Sequence, residues 1–296
     1  MRISPITPNY LNKPLSFRAG SSASAKRFLQ STPPPPRYFS MQTGIFPKSL
    51  SELEEGQVLD YNGAIFNKHV TTFCRNDLNW LDFGKYLKEK FDSPKDVNFH
   101  VFACSTGAEA YSLALLLNRV YDTTDYKIDA SDIADYMIDE NIKEQKWGAV
   151  VDPFDYFKIC RDLDLTGNKE KYFIKPDGYY PVIKPQIANT VKFRKANIIT
   201  EVDNLDTSKP SVIFCRNMWP YVDSEKYEEF AEKLYKKLPE GSMVVIGDFD
   251  HVGDYEHYGS DSFPKALEES GFKPSKRGMS RLRESDKKDF MSVYEK

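Results

Sequence analysis

Residues 98–112, NFHVFACSTGAEAYS, hold the sharpest change of pattern in this chain of 296 residues. Asn98 to Ala103 is a short apolar run typical of a buried strand, and residues 109–120 place leucines on one face of a helix. Small and polar residues join the two. A strand that turns directly into a helix is the first half of a βαβ unit, so this stretch predicts a parallel sheet.

The alternation of strands and helices continues on both sides of residues 98–112. A helix is predicted from residue 80 to 91, and Asp92-Ser93-Pro94 ends it. The sequence predicts further strands at 126–130, 191–193, 211–215 and 243–246, and further helices at 133–146 and 224–238. We therefore expect an α/β fold with helices on both faces of a mostly parallel sheet. Residues 172–183 do not fit, and we interpret them as short antiparallel strands in a small β insertion.

Composition and charge narrow the class of protein. Hydrophobic residues make up 40% of the chain and aromatic residues 14%, which is enough for a sizeable core. Residues 1–51 carry seven basic groups and no acidic one, so the rest has 34 Lys and Arg against 44 Asp and Glu. A body this acidic is a poor partner for nucleic acid. No apolar run approaches the roughly 18 residues that cross a bilayer, which argues against a membrane-embedded protein.

The first residues differ from the rest. Residues 1–47 contain a serine-rich stretch, four consecutive prolines and apolar residues without a period, which predicts a disordered basic tail before a folded domain over 48–296. An organelle transit peptide has a similar composition and is the alternative. The four cysteines and four histidines show no ligand spacing. We therefore expect no metal site, and free thiols indicate a cytoplasmic location.

Two features point to a nucleoside-like ligand. The turn after the first strand has one glycine, Gly107, instead of the three that cradle a dinucleotide pyrophosphate. Glu109 in the first helical turn suits a ligand with a positive amine, although it is also favourable at a helix start. Asp132 ends the next strand, 25 residues after Gly107, where a carboxylate can bind ribose hydroxyls or cap a helix. Together they favour an adenosine-type ligand with an amino-acid end.

Five segments in this order resemble the CheR-type chemotaxis receptor methyltransferases, which methylate protein glutamates with S-adenosylmethionine. They are residues 71–75 (TTFCR, against T-x-F-F-R), 105–112 (STGAEAYS, against S-T-G-E-E-P-Y-S), 130–133 (ASDI), 191–198 (V-x-F, then Asn-Ile) and 214–223 (FCRNMWPYVD, against F-C-R-N-V-L-I-Y-F-D). The last segment is the most specific. The resemblance covers about three-fifths of the chain.

The resemblance implies a class I methyltransferase fold: a seven-strand Rossmann-like sheet with a small antiparallel β insertion, placed at about residues 165–190. It implies that Glu109 binds the methionine amino group, Asp132 binds the ribose, and Arg75 and Tyr221 contact the acceptor. The catalytic candidates are Arg75 and Tyr221, and the cofactor-binding candidates are His69, Thr71, Arg75, Gly107, Glu109, Asp132, Asn197, Ile198, Asn217 and Met218.

The resemblance also has departures. His69 stands where the family usually has Asn, and Ala108 replaces a Glu. Residues 247–250 (GDFD) stand where G-x-S-E is usual, so Asp250 is a shortened acid in place of the Glu. The helical domain that precedes the catalytic domain in many members is not recognisable in residues 1–45. The expected function is methyl transfer from S-adenosylmethionine to glutamates of a protein such as a chemoreceptor cytoplasmic region, with S-adenosylhomocysteine as product. The alternatives are another acceptor, or a non-catalytic protein that binds either nucleoside.

Overall fold

The centre of the protein is a seven-stranded sheet. The computed structural model describes residues 57–59, 65–67, 71–75, 77–145, 148–174, 180–219, 222, 224–251, 262–275 and 292–296. These all belong to one unit, residues 35–296. Its strands are β1 (Gln57–Leu59), β2 (Ile65–Asn67), β3 (Asn98–Phe102), β4 (Ile128–Asp132), β5 (Ala149–Val150), β6 (Phe173–Ile174), β7 (Val182–Ile183), β8 (Val191–Lys195), β9 (Ser211–Phe214), β10 (Met243–Val245), β11 (Lys273–Pro274) and β12 (Val293–Glu295).

The strand order of the large sheet is β11-β12-β10-β9-β3-β4-β8. Strands β3, β4, β8, β9 and β10 run parallel, while β12 is antiparallel to both of its neighbours. The carboxyl ends of the five parallel strands therefore meet at one edge. Open α/β sheets bind their ligands outside that edge, near the point where the order reverses.

The helices are α1 (Trp80–Lys90), α2 (Ala108–Tyr121), α3 (Asp135–Gln145), α4 (Pro153–Asp162), α5 (Lys169–Tyr172), α6 (Pro185–Ala188), α7 (Ile198–Glu201), α8 (Glu225–Lys237) and α9 (Phe263–Ser270). Local sequence explains several starts. Asp152 caps α4 by accepting hydrogen bonds from two backbone amides, and Pro153 occupies the first turn, where no amide donor is needed. Short 3₁₀ turns cover Pro94–Asp96, Val202–Asn204 and Asp248–His251.

The sheet separates two hydrophobic cores. On β9, Val212 and Phe214 face the core that holds α1 and α2, and Ile213 faces the core that holds α8 and α9. Side chains alternate in this way because successive residues of a strand point to opposite faces. Helices thus cover both faces, as the sequence predicts.

A second, three-stranded antiparallel sheet with the order β5-β7-β6 lies in the interval before β8. The predicted fold class, a class I α/β sheet with a small antiparallel insertion, is confirmed. The small sheet includes Ala149 and Val150, which precede the predicted insertion at 165–190. The predicted tail, residues 1–47, lies outside the described residues, and the division into tail and domain stays a prediction.

The four cysteines are buried free thiols. Burial raises the pKa of Cys104 and Cys215 well above the usual thiol value, so neither is an activated nucleophile. Over the part of the chain that is described, no three His, Cys, Asp or Glu side chains are grouped to hold a metal ion. In the same part, every helix is too short or too polar to cross a membrane.

Candidate active site

The turn from β3 into α2 is tight and strained. Ala103, Ser105 and Gly107 have φ values of 52°, 49° and 80°, all in the left-handed region. A Cβ on Gly107 would lie only 2.8 Å from the Phe193 ring, so the position needs glycine for both its backbone and its neighbour. Such turns persist where the surrounding structure holds them, and they concentrate at functional sites.

Asp132 lies at the end of β4 with only 3% of its surface exposed. Its Oδ2 accepts a hydrogen bond from the Ser105 amide at 2.8 Å, and its Oδ1 accepts one from the Ala134 amide at 3.0 Å. Asp132 therefore fixes the β3 turn to the end of β4. A carboxylate can accept about four hydrogen bonds, so backbone binding and ribose binding are compatible at one Asp.

Glu109 belongs to a buried ionic cluster that the sequence did not indicate. The guanidinium of Arg216 pairs with Glu109 through Nη1 and with Asp77 through Nη2. Its Cζ also lies 5.6 Å from the centroid of the Trp80 ring. Two carboxylates thus share one buried guanidinium. The side chains of Arg216, Asp77 and Glu109 are 1%, 2% and 11% exposed.

The two carboxylates of this cluster differ in their proton affinity. Burial raises the pKa of Glu109, and the charge of Arg216 offsets only part of that effect. Burial also acts to raise the pKa of Asp77, but Arg216 and hydrogen bonds from the Asn217 side chain and the Asp248 amide bring it below its ordinary value. Those two hydrogen bonds measure 3.2 and 3.1 Å.

Asp250 organises the turn after β9. Its carboxylate accepts hydrogen bonds from the amides of Gly247, Asn217, Met218 and Trp219 at 2.6–3.1 Å. Asn217 is left-handed with a φ of 58°. Burial raises the pKa of Asp250 to about 7, while the amide donors favour the carboxylate. The departure noted in the sequence thus gives the chain a carboxylate that shapes the backbone around Asn217.

Arg75 lies on the segment before α1, half-buried, and its carbonyl accepts a hydrogen bond from Trp80 Nε1 at 3.1 Å. The ordinary alternative for Arg75 is an ion pair with Asp77 or Asp82, the next acidic residues in the chain. Asp77 pairs instead with Arg216, and within the described residues the Arg75 guanidinium has no ion-pair partner. Its positive charge acts to lower the pKa of Asp77 and of Glu109.

The remaining candidates have different surroundings. Asn197 caps α7 through its Oδ1, and the preceding amide of Ala196 donates to the Asp132 carbonyl at 2.9 Å. Ile198 is half-buried against the core of α8 and α9, and the Met218 side chain is buried in that core. Thr71 is half-buried. His69 and Tyr221 lie outside the described residues.

The structure therefore brings Glu109 and Asn217 into one hydrogen-bonded cluster, with Gly107, Asp132 and Asn197 along the same sheet edge. The sequence did not indicate Arg216 or Asp77 as residues of the site. One signal was present, because Arg216 directly follows the apolar strand SVIFC, and a charge in such a place must be paired. Its partners could not be known, since they lie 107 and 139 residues away in the chain.

A parallel sheet of this strand order, with acidic groups at its carboxyl edge, defines a class I methyltransferase. A family model described as "CheR methyltransferase, SAM binding domain" matches residues 69–263. The chain belongs to this family of S-adenosylmethionine-dependent methyltransferases. The predicted family and cofactor are confirmed.

The chain is similar to several proteins whose names are known. The chain is 24% identical over 220 residues to the chemotaxis protein methyltransferase of Listeria monocytogenes, covering 73% of this chain and 77% of the relative. It is 24% identical over 234 residues to chemotaxis protein methyltransferase 1 of Pseudomonas aeruginosa, covering 73% and 80%. A TehB-like SAM-dependent methyltransferase from Corynebacterium glutamicum superposes with a TM-score of 0.35 at 9% identity over 72% of this chain and 83% of that one.

The residues at the sheet edge fit S-adenosylmethionine. Arg216 Nε is buried without a hydrogen-bond partner within the described residues. In the same part of the chain, only Oε1 of the two Glu109 oxygens has a hydrogen-bond partner. The Arg216 donor can bind the carboxylate of the methionine end of the cofactor, and the Glu109 acceptor can bind its ammonium group.

Proposed function

We propose that the protein methylates glutamate side chains of another protein, and that a chemoreceptor cytoplasmic region is the acceptor. The observation that carries the proposal is Arg75. Arg75 lies two residues before Asp77 of the buried acidic cluster, its carbonyl accepts a hydrogen bond from Trp80, whose ring lies against Arg216, and its guanidinium is not engaged in an ion pair within the described residues. A guanidinium can hold a carboxylate through two parallel N–H bonds, which fixes its orientation.

The proposed chemistry makes modest demands on the protein. A glutamate carboxylate is ionised at neutral pH, so no general base is needed. S-Adenosylmethionine supplies a methyl group on a sulfonium, whose sulfur keeps the electron pair of the broken S–C bond as the new O–C bond forms. Arg75 would orient the carboxylate in line with that bond, and the buried cluster would hold the methionine end still. Proximity and orientation of this kind can lower a reaction barrier by about 7–11 kcal/mol.

The names of the relatives support the same acceptor class, because they are chemotaxis protein methyltransferases. A chemoreceptor acceptor implies that the protein works in the cytoplasm, which we also propose. Tyr221 follows the cluster in sequence, and we propose that it faces the acceptor, as the family resemblance implies.

The direct test uses S-adenosylmethionine with a labelled methyl group and the purified cytoplasmic fragment of a chemoreceptor. We expect label in the fragment that mild alkali releases as methanol, as it does from carboxyl esters. Alkali-stable label would indicate another acceptor group, and binding of the cofactor without any transfer would indicate a non-catalytic protein.

The role of Arg75 is tested with Arg75→Lys, which keeps the charge but loses the two parallel N–H bonds. Transfer should fall by about 10²-fold, because a misplacement of about 1 Å can cost that much. Affinity for S-adenosylmethionine should change little. Arg119→Lys is the matched control, since Arg119 is exposed and paired with Asp164 at 3.5 Å. Equal losses of binding and transfer in Arg75→Lys would place Arg75 in the cofactor site instead.

A further inference from the structure

The short segment Phe73–Arg75 is held in place by a lysine from the β insertion, which in the structure runs from β5 to β7 and includes α4 and α5. Lys158, on α4, donates from Nζ to the Phe73 carbonyl at 2.8 Å and also to the Cys74 carbonyl. The two residues that accept are buried, where backbone carbonyls have little access to water, so a charged donor is a favourable partner for them. The insertion thus contacts the backbone immediately before Arg75.

This lysine is itself fixed in position. Its Nζ forms an ion pair with Asp162 Oδ2 at 2.9 Å, one helical turn further along α4. The Asp162 side chain is 1% exposed, and its other oxygen accepts a hydrogen bond from Arg161 Nε at 2.8 Å. Lys158 therefore has little freedom to move away from the carbonyls that it binds.

The segment needs such support because its backbone is strained. Cys74 has a φ of 45°, a left-handed value that is unfavourable for a residue with a Cβ. The Cys74 amide donates to Ser112 Oγ of α2 at 2.9 Å, and the Arg75 carbonyl accepts from Trp80 of α1. Helices α1 and α2 thus hold the segment from the main domain, and α4 holds it from the insertion with a charged group.

We propose that Lys158 is a positioning residue for methyl transfer, which acts through the backbone of Phe73 and Cys74 on the guanidinium of Arg75. The inference rests on the proposed function, in which Arg75 orients the acceptor carboxylate. It assigns the β insertion a part in the reaction centre through one side chain. The cofactor contacts of Glu109 and Asp132 do not depend on it.

The test compares Lys158→Met, which keeps the apolar stem, with Lys158→Arg, which restores a cation of similar reach. Methyl transfer to the chemoreceptor fragment in Lys158→Met should fall at least about tenfold at saturating S-adenosylmethionine, while the Kd for the cofactor stays within about threefold. Lys158→Arg should recover most of the rate. Lys171→Met is the matched control, because Lys171 lies on α5 of the same insertion and pairs with the exposed Asp122. It should leave the rate unchanged.

Hydrogen exchange gives a second measurement that does not require an acceptor. In Lys158→Met the amides of residues 73–75 should exchange at least about tenfold faster, with unchanged exchange in β3 and β4. If the wild type forms no carboxyl esters, the proposed function fails while this measurement still reports on Lys158. The inference is overturned if both exchange and transfer in Lys158→Met stay at wild-type values, or if cofactor affinity falls as much as transfer. Lys158→Gln is measured in the same way if the methionine variant does not fold.

Discussion

Replacing Arg216 with methionine should strongly destabilise the protein. The side chain is 1% exposed, and it is the guanidinium that the buried Asp77 and Glu109 share. Removing one partner of a buried ion pair costs about 3–5 kcal/mol, because it leaves uncompensated charge in a medium that solvates it poorly. Here two carboxylates lose the same partner, so we expect the upper part of that range.

The loss should depend on pH in a defined direction. Without Arg216, the effect of burial on Glu109 is opposed much less, so the pKa of its carboxyl in the folded state rises further above the unfolded value of about 4. Asp77 keeps the hydrogen bonds from Asn217 and the Asp248 amide but loses the charge of Arg216, so its pKa rises from its lowered value. A group with a raised folded pKa stabilises the fold below its unfolded pKa, and that contribution is lost as pH rises through the folded pKa. The deficit of the variant relative to wild type should therefore be larger at about pH 8 than at about pH 5.

Urea denaturation followed by tryptophan fluorescence is the assay, since Trp80 lies next to the guanidinium. The triple change Arg216→Met, Asp77→Asn, Glu109→Gln removes all three charges and should recover part of the loss. Arg119→Met, at an exposed ion pair, should cost less than about 1 kcal/mol. A loss below about 1 kcal/mol for Arg216→Met, or no change with pH, would refute the reasoning about a shared buried guanidinium.

Two further substitutions test the turns. Asp250→Asn should lower the free energy of unfolding by about 2–3 kcal/mol in urea denaturation, because it turns an amide donor toward backbone N–H groups. Asp203→Asn, at an exposed position, is the control and should leave the free energy of unfolding nearly unchanged. A change below about 0.5 kcal/mol for Asp250→Asn would contradict its role. Gly107→Ala should cost about 1–2 kcal/mol and weaken cofactor binding, since it combines a φ of 80° with a close approach to Phe193. Gly167→Ala has open space around its Cβ and is the control; equal effects of the two would show that the Gly107 turn is not constrained.

The sequence pattern predicted the main sheet because its strands and helices alternate clearly. The bounds of a strand differ from the predicted ones where pairing with the neighbouring strands determines where it begins and ends. The strand predicted at 126–130 runs from Ile128 to Asp132, because Ile128 pairs with Phe99 and Val191, while the Tyr126 hydroxyl donates to the Ala114 carbonyl. The pattern did not indicate β11, a two-residue strand that contains a proline and forms only through pairing with β12.

Asp132 could be predicted as a site residue because an acidic residue at the end of a strand is a pattern that the sequence alone shows. The ionic cluster could not be predicted, because its members come from three distant parts of the chain. Asp77 precedes α1, Glu109 begins α2, and Arg216 follows β9. The contact of Lys158 with the Arg75 segment was hidden for the same reason, since it joins residues 85 apart.

We propose that Glu109 and Asp132 hold opposite ends of one cofactor. This proposal is tested by calorimetric binding of S-adenosylhomocysteine and of 5′-methylthioadenosine, which lacks the amino-acid end, to wild type, Glu109→Gln and Asp132→Asn. Glu109→Gln should weaken binding of S-adenosylhomocysteine by about tenfold or more, since a hydrogen bond to a charged group is worth about 1.5–3 kcal/mol, and should leave methylthioadenosine binding unchanged. Asp132→Asn should weaken the binding of both ligands. Equal losses for both ligands in Glu109→Gln would contradict the assignment of Glu109 to the amino-acid end.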